Sequence, residues 1–234
     1  MTTMLKNTLA LFASAIALLG APALRAQVLT FNVDLNTATL SADSANAPFD
    51  LDFQLNYGNS ALASNTVTLS AFTFTGGSAL GSAVTSGSAT GSLASSVALT
   101  ANSTHPFSEL FQQFSSGTTD IKFTATVNEP GPNVGVPTQF SAAILDQSLG
   151  FPAQLFTTAP DTASLVTLDL SASNTIANVG AYTSTSSADG NTAVPGVTAS
   201  ITAIPEPSTT AAIFGGVVMM FAFVTRRFGR TQTA

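Results

Sequence analysis

Apolar and polar residues alternate along many short segments of this chain, which is the pattern of β-strands with one buried face. Residues 49–57 (FDLDFQLNY) alternate without interruption. The polar face of that strand carries Asp50, Asp52, Gln54 and Asn56. Further strands are predicted at residues 28–35, 65–75, 93–100, 121–127, 138–146, 166–170 and 194–203. Many short strands of this kind predict an all-β protein, a single antiparallel β-sandwich of jelly-roll-like form spanning residues 27–203.

Two segments of this predicted body depart from the strand pattern. Residues 76–96 are rich in Gly, Ser and Ala, which indicates short hairpins or a flexible edge because so little side-chain bulk buries little surface. Residues 108–114 (SELFQQF) have helical spacing, so they predict one short helix, capped by Ser108 and ended by Gly117. Prolines at 130, 132 and 137 predict a long turn between two strands.

The N-terminal residues have the features of a signal peptide. Lys6 precedes an apolar run at residues 8–20 that is too short to span a bilayer stably. Small residues then offer cleavage sites after Ala23 or Ala26. Residues 1–26 therefore predict export across the inner membrane.

The C-terminal residues combine a short motif, an apolar run and a basic end. Pro205, Glu206 and Pro207 precede residues 209–224, which carry no charge and would span roughly 24 Å as a helix, a little under the ~30 Å hydrocarbon core. The basic end that follows consists of Arg226, Arg227 and Arg230. Because basic flanks stay on the cytoplasmic side, this order predicts a transmembrane helix with the body outside the cytoplasm.

This three-part tail, together with the signal peptide, resembles that of the PEP-CTERM proteins of Gram-negative bacteria. The resemblance implies a sorting tail at residues 204–230, which a membrane-embedded, cysteine-protease-like exosortase recognises and removes near the motif. It also implies that the trimmed protein reaches the cell surface or extracellular matrix, often alongside exopolysaccharide. The alternative is a permanent membrane anchor that holds the body at the periplasmic face.

The body also resembles the β-rich ectodomain of one PEP-CTERM subfamily. The matching passages are residues 28–35 (VLTFNVDL), 48–55 (PFDLDFQL) and 139–146 (QFSAAILD). That subfamily brings no established activity, so this likeness implies a fold and not a reaction.

The charges of the body exclude some partners. Lys122 is its one basic residue against eleven acids between Asp34 and Asp189, which gives a net charge of −10. Such a surface disfavours nucleic acid and anionic lipid headgroups, and it suits solubility or divalent cations. The sequence has no cysteine, so no disulfide stabilises the exported protein.

The candidate chemistry in the body is acidic. Asp50 and Asp52 lie two residues apart on the polar face of one strand, with Cα atoms roughly 6–7 Å apart. This spacing suits two ligands of a Ca²⁺ ion or a glycosidase carboxylate pair. The commonest interpretation is two solvated charges that keep a wet face soluble. Further ligands are expected only if the fold brings in Asp34, Asp43 or Asp146.

Other catalytic signals are weak. His105 is the only histidine and lies in a turn-like Thr-His-Pro context, so we interpret it as a surface or capping residue. The sequence has no G-x-S-x-G elbow and no phosphate-binding motif. Tyr57 and Tyr182 alone offer amphipathic rings for stacking a sugar. We therefore expect a non-enzymatic structural or adhesive protein without a cofactor, which binds exopolysaccharide or its own copies; a secreted polysaccharide-active enzyme using Asp50 or Asp52 is the alternative.

Overall fold

The computed structural model describes residues 28–43, 46–58, 65–128, 136–170, 176–194 and 196–204. These residues form antiparallel β-sheets, none of them closed, and one short 3-10 helix at Ala38–Ala42. The strands are β1 Val28–Asn36, β2 Phe49–Asn56, β3 Asn65–Thr75, β4 Val84–Ser86, β5 Ser88–Gly91, β6 Val97–Ala101, β7 Phe107–Phe114, β8 Asp120–Asn128, β9 Thr138–Asp146, β10 Ala153–Gln154, β11 Phe156–Thr157, β12 Val166–Leu170, β13 Ile176–Ala181, β14 Ser184–Ser186 and β15 Thr198–Ile204. The all-β prediction is confirmed. The predicted leader, residues 1–26, and the predicted sorting tail beyond its first residue, Ile204, lie outside the described residues.

Two large sheets contain most of the strands. One has six strands in the order β15-β1-β8-β3-β6-β5, and the other has the order β13-β12-β9-β2-β7-β4, with β10 paired to β9. The chain passes repeatedly from one sheet to the other, so that β1, β3, β6 and β8 belong to the first sheet and β2, β7 and β9 to the second. The two sheets therefore share one hydrophobic core.

Phenylalanine supplies much of that core. The alternation predicted for β2 places Phe49, Leu51, Phe53 and Leu55 on its buried face. The ring of Phe53 is fully buried and lies 5.2 Å from Phe123 of the opposite sheet, 6.0 Å from Phe72 and 6.2 Å from Phe140, measured between ring centroids. Aromatic pairs at these distances add to the burial of their surface. The core thus joins the two sheets without tryptophan or disulfides.

The predicted helix at residues 108–114 is wrong, because this segment is strand β7. It pairs with β2 over its whole length, from Asn56 opposite Phe107 to Phe49 opposite Phe114. Burial follows a period of two, with Leu110 and Phe114 buried. Tertiary pairing between two hydrophobic strands overrides the local helical spacing.

Residues 76–96 were predicted to form short hairpins or a flexible edge, and the structure places two short edge strands there. In this segment β4 forms an edge of the second sheet and β5 forms an edge of the first. Gly87 lies between these two strands with φ of +64°, and a Cβ there would lie 2.0 Å from the carbonyl oxygen of Phe107. Small residues therefore allow the chain to cross between the sheets at this point.

Candidate functional site

The outer face of the second sheet carries the polar residues that were predicted on β2. Gln54 lies opposite Glu109 of β7, and Asp52 lies opposite Phe111. On the other side of β2, Asp52 lies opposite Ala143 and Asp50 lies opposite Leu145. Carboxylates, amides and apolar side chains are therefore neighbours on one face, next to the short strand β10.

Asp52 is buried, which corrects the prediction of a solvated charge. Its residue surface is 1% exposed, and that of Asp50 is 8% exposed. Gln54 donates an N–H to Oδ2 of Asp52 at 2.8 Å, and Gln154 of β10 donates to the same oxygen at 3.1 Å. Oδ1 of Asp52 is buried without a protein hydrogen-bond partner. Strand alternation alone assigned this carboxyl to a solvent-exposed face. In the structure, neighbouring strands and β10 cover it.

Burial raises the pKa of Asp52 to about 7, although the amides of Gln154 and Gln54 oppose the shift. The nearby charges of Glu109 and Asp50 raise it further. Burial also raises the pKa of Asp50 and of Glu109. Asp52 thus changes its charge near neutral pH.

A depression of about 330 Å³ opens beside Asp52. Its lining consists of Asp52, Gln54, Glu109, Phe111, Leu145, Pro152, Ala153 and Gln154, and we call it the Asp52 depression. The amide nitrogen of Gln54 bridges Asp52 and Glu109, with bonds of 2.8 and 3.1 Å to one oxygen of each. Those two oxygens are therefore less than about 6 Å apart.

The other acids considered as metal ligands are not brought to this site. Asp34 lies on β1 of the other sheet, where its carboxylate is paired with Lys122. Asp43 accepts a hydrogen bond from the side chain of Asn46, and Asp146 accepts one from the hydroxyl of Ser148. Among the described residues, no group of three or more His, Asp or Glu side chains converges in a way that would hold a metal ion. Calcium binding by Asp50 and Asp52 stays an untested alternative to the expectation of no cofactor.

Two of the other sequence candidates, His105 and Tyr57, do not line the Asp52 depression. His105 is exposed in the turn between β6 and β7, where its backbone N–H donates to Oδ1 of Asn102 at 2.9 Å. Tyr57 packs partly buried against the hydrophobic core. The motif residues Pro205, Glu206 and Pro207 lie outside the described residues, as do Arg226, Arg227 and Arg230.

Glu109, Phe111 and Gln154 are the site residues that sequence reasoning missed. Glu109 and Phe111 were assigned to a helix because the buried face of β7 also carries polar residues, which hide its alternation. One of these is Gln112, whose side chain accepts from the backbone N–H of Leu93 at 2.8 Å. The available signal was the period of two in residues 108–114, with Ser, Leu, Gln and Phe at every second position.

This arrangement limits the access of a substrate to the carboxyl of Asp52. A general acid must come within about 3 Å of the substrate atom that it protonates. One oxygen of Asp52 is occupied by two amides and the other is buried, so a substrate has little access to the carboxyl. The half-buried groups around it, Glu109 and the ring of Phe111, combine a hydrogen-bonding rim with an apolar wall.

Comparison with protein-family models, with curated proteins and with solved structures finds no significant match to this chain. None of the residues that the structure describes forms a helix of the length and hydropathy needed to cross a bilayer.

Proposed function

We propose that this chain is a non-enzymatic, exported protein of the cell surface or extracellular matrix, with a structural or adhesive role alongside exopolysaccharide. Its body is a jelly-roll-like β-sandwich, and its tail is a sorting signal for an exosortase. The protein crosses the inner membrane, is held there transiently by residues 209–224, and is then trimmed. Weak polar contacts, to polysaccharide or between copies, hold the trimmed body in place.

The observation that carries this proposal is the order of segments at the C-terminus. The last strand, β15, ends at Ile204, and the motif begins at the next residue, Pro205. An uncharged run and three arginines follow. This order supports the proposal, because a membrane-embedded protease would meet a motif that lies between a folded domain and a membrane segment.

Replacement of Pro205, Glu206 and Pro207 by alanine tests the sorting step. We expect the variant to be exported and to remain full-length in the membrane fraction, whereas the parent ends near residues 205–208. Intact-mass spectrometry of the envelope and medium fractions of the native host distinguishes the two. Equal processing of parent and variant would show that the motif is not the recognition element, and an intact Ala234 in the parent would indicate a permanent anchor.

A polysaccharide-active enzyme is the second candidate, because the Asp52 depression contains two carboxyls less than about 6 Å apart, and carboxyls of retaining glycosidases are about 5–5.5 Å apart. The limited access to Asp52 disfavours it. A saturable hydrolytic activity on a polysaccharide that is lost in both Asp52→Asn and Glu109→Gln, but kept in Asp169→Asn, would establish this function instead. Asp169 is a matched control since it also accepts hydrogen bonds from two side-chain amides on this sheet.

A further inference from the structure

The register of the sheets shows from which end of the body the tail leaves. Ile204, the last residue of β15, lies opposite Thr30 near the start of β1, and Val28 lies opposite Asn128 at the end of β8. In the second sheet, β2 runs to Asn56, which lies opposite Phe107 and Gln139. We call this end, where β15 finishes, the exit end, and the opposite end the far end.

The segment between the body and the membrane run is very short. Only residues 205–208 separate Ile204 from the apolar run 209–224. Four residues span at most about 14 Å when fully extended. Since the headgroup layer on each side of a bilayer is itself about 5–7 Å thick, the exit end lies at or close to the headgroups while the tail is in the membrane.

Among the residues that the structure describes, the carboxylates are concentrated away from the exit end. Asp120 lies opposite Asn36 at the far end of the first sheet, and Asp50 lies near the start of β2 at the far end of the second. The far half of the body also contains Asp34, Asp43, Asp146 and Asp189. In the half nearer the exit end, the described residues include Glu109 and Asp169.

We infer that, before its tail is trimmed, the body stands end-on on the bilayer, with the exit end against the lipid headgroups and the acidic far end pointing away. This inference rests on the proposed membrane role of residues 209–224. It adds which surface the protein presents outward, namely the far end, and it requires the protease to act in the narrow gap between the body and the membrane.

The dimensions of the sheet keep the acidic far end away from the negative charge of the membrane surface in this orientation. The nine residues of β1 cover about 30 Å, so the far-end carboxylates are several Debye lengths, each about 8 Å at physiological salt, from the membrane surface. Anionic lipids therefore repel them little. The reverse orientation would bring this acidic end close to the headgroups, with Lys122 paired to Asp34 and Asp120 as its basic side chain, and the short connection forbids it.

Single cysteines at the two ends test the orientation, because the sequence has no cysteine of its own. Ser103 lies in the turn between β6 and β7 at the exit end, and Ser116 lies in the turn between β7 and β8 at the far end. Both serines are exposed. Ser103→Cys and Ser116→Cys are labelled with the same fluorophore in exported protein whose intact tail is verified by mass.

The labelled proteins are placed in phosphatidylcholine–phosphatidylglycerol vesicles that carry a quencher on a fraction of the headgroups. We expect several-fold stronger quenching of the label at position 103 than at position 116, since the eight residues of β7 separate the two turns by about 25 Å. Equal quenching would mean that the body lies flat or tumbles, and stronger quenching at position 116 would mean the reverse orientation; either result overturns the inference.

A matched pair of variants tests whether the short connection sets the orientation. Insertion of twenty Gly/Ser residues between Ile204 and Pro205 adds a coil with an end-to-end distance of about 25 Å, so we expect the difference between the two labels to disappear. A difference that persists would overturn the tether argument. Flotation of the protein with the vesicles is scored separately: failure to float refutes the membrane segment of the proposed function, whereas flotation with equal quenching refutes only the orientation.

Discussion

Asp52→Asn is expected to stabilise the body at high pH and to change its stability little at low pH. The substitution keeps the shape of the side chain and an oxygen that accepts from Gln54 and Gln154, but it removes a charge from a residue that is 1% exposed. Ionisation of Asp52 in the folded protein is unfavourable because burial raises its pKa from 3.8 to about 7. The asparagine cannot ionise, so the variant avoids this cost.

The sign follows from proton binding. Between pH 4 and 7 the folded protein holds a proton on Asp52 that the unfolded chain has already lost, so the free energy of unfolding falls as pH rises through this window. The full shift corresponds to roughly 4 kcal/mol, at about 1.36 kcal/mol per pKa unit. From pH 5 to pH 8 we therefore expect the advantage of Asp52→Asn over the parent to grow by about 2–3 kcal/mol.

Urea unfolding of residues 27–204, followed by far-UV circular dichroism at pH 5, 6, 7 and 8, measures this difference. The contributions of the other titrating groups to the free energy of unfolding are the same in both proteins, so they cancel in the comparison. Asp169→Asn is the matched control, since Asp169 accepts from Gln139 and Asn178 on the same outer face but is only partly buried. The control keeps the carboxyl of Asp52 and removes another carboxyl of the same face, so it shows what the loss of a carboxyl there does by itself.

A constant difference between parent and Asp52→Asn across this pH range would refute the reasoning. It would mean that water or a rearranged side chain solvates Asp52, so that its carboxyl ionises in the folded protein at an ordinary pH. The Asp52 depression would then offer an ordinary carboxylate near neutral pH.

Further predictions concern the core, one turn, one buried amide and calcium. Phe53→Ala should lower the free energy of unfolding by about 3–5 kcal/mol in urea titrations, since the ring is fully buried among three others. Gly87→Ala should cost more than about 2 kcal/mol, because its φ is positive and the new Cβ meets a carbonyl oxygen; Gly81→Ala, with a similar φ and open space, should cost less. Gln112→Ala should cost about 2–3 kcal/mol by leaving Leu93 N–H and the carbonyls of Leu80 and Gly81 without a partner, whereas Gln113→Ala on the outer face should cost little. Millimolar Ca²⁺ should raise the melting temperature no more than Mg²⁺ does; a rise of several degrees with Ca²⁺ alone would instead establish the calcium site.

Strand prediction succeeded where one face of a strand is uniformly apolar. The examples are β2 and β8, whose buried faces carry Phe49, Leu51, Phe53 and Leu55, and Ile121, Phe123, Ala125 and Val127. It failed at β7, where Ser108 and Gln112 lie on the buried face and Phe111 lies on the outer face. Ser108 is buried there because its hydroxyl hydrogen-bonds across strands, to the backbone N–H of Ser88 and the carbonyl of Thr100. Such long-range partners leave no local signal.

The candidate site likewise combines features that follow from the local sequence with features that depend on distant residues. Alternation alone placed Asp50, Asp52 and Gln54 on one face of β2, because side chains alternate along any strand. Burial of Asp52 depends on Gln154, 102 residues later in the chain, and its raised pKa depends further on Glu109 of a neighbouring strand. These contacts come from the pairing of β2 with β7 and of β9 with β10.

The sequence by itself determined the fold class, the acidic character of the body and the order of segments in the tail, because these depend on local periodicity and composition. Only the tertiary structure decided which strands are neighbours, and hence which carboxyl is buried and from which end the tail leaves. The physical reason is that burial, desolvation and the direction of a chain end are properties of pairing between distant segments. Strand alternation assigns Asp52 to a solvent-exposed face, but the residue is buried because the adjoining strands and β10 cover it.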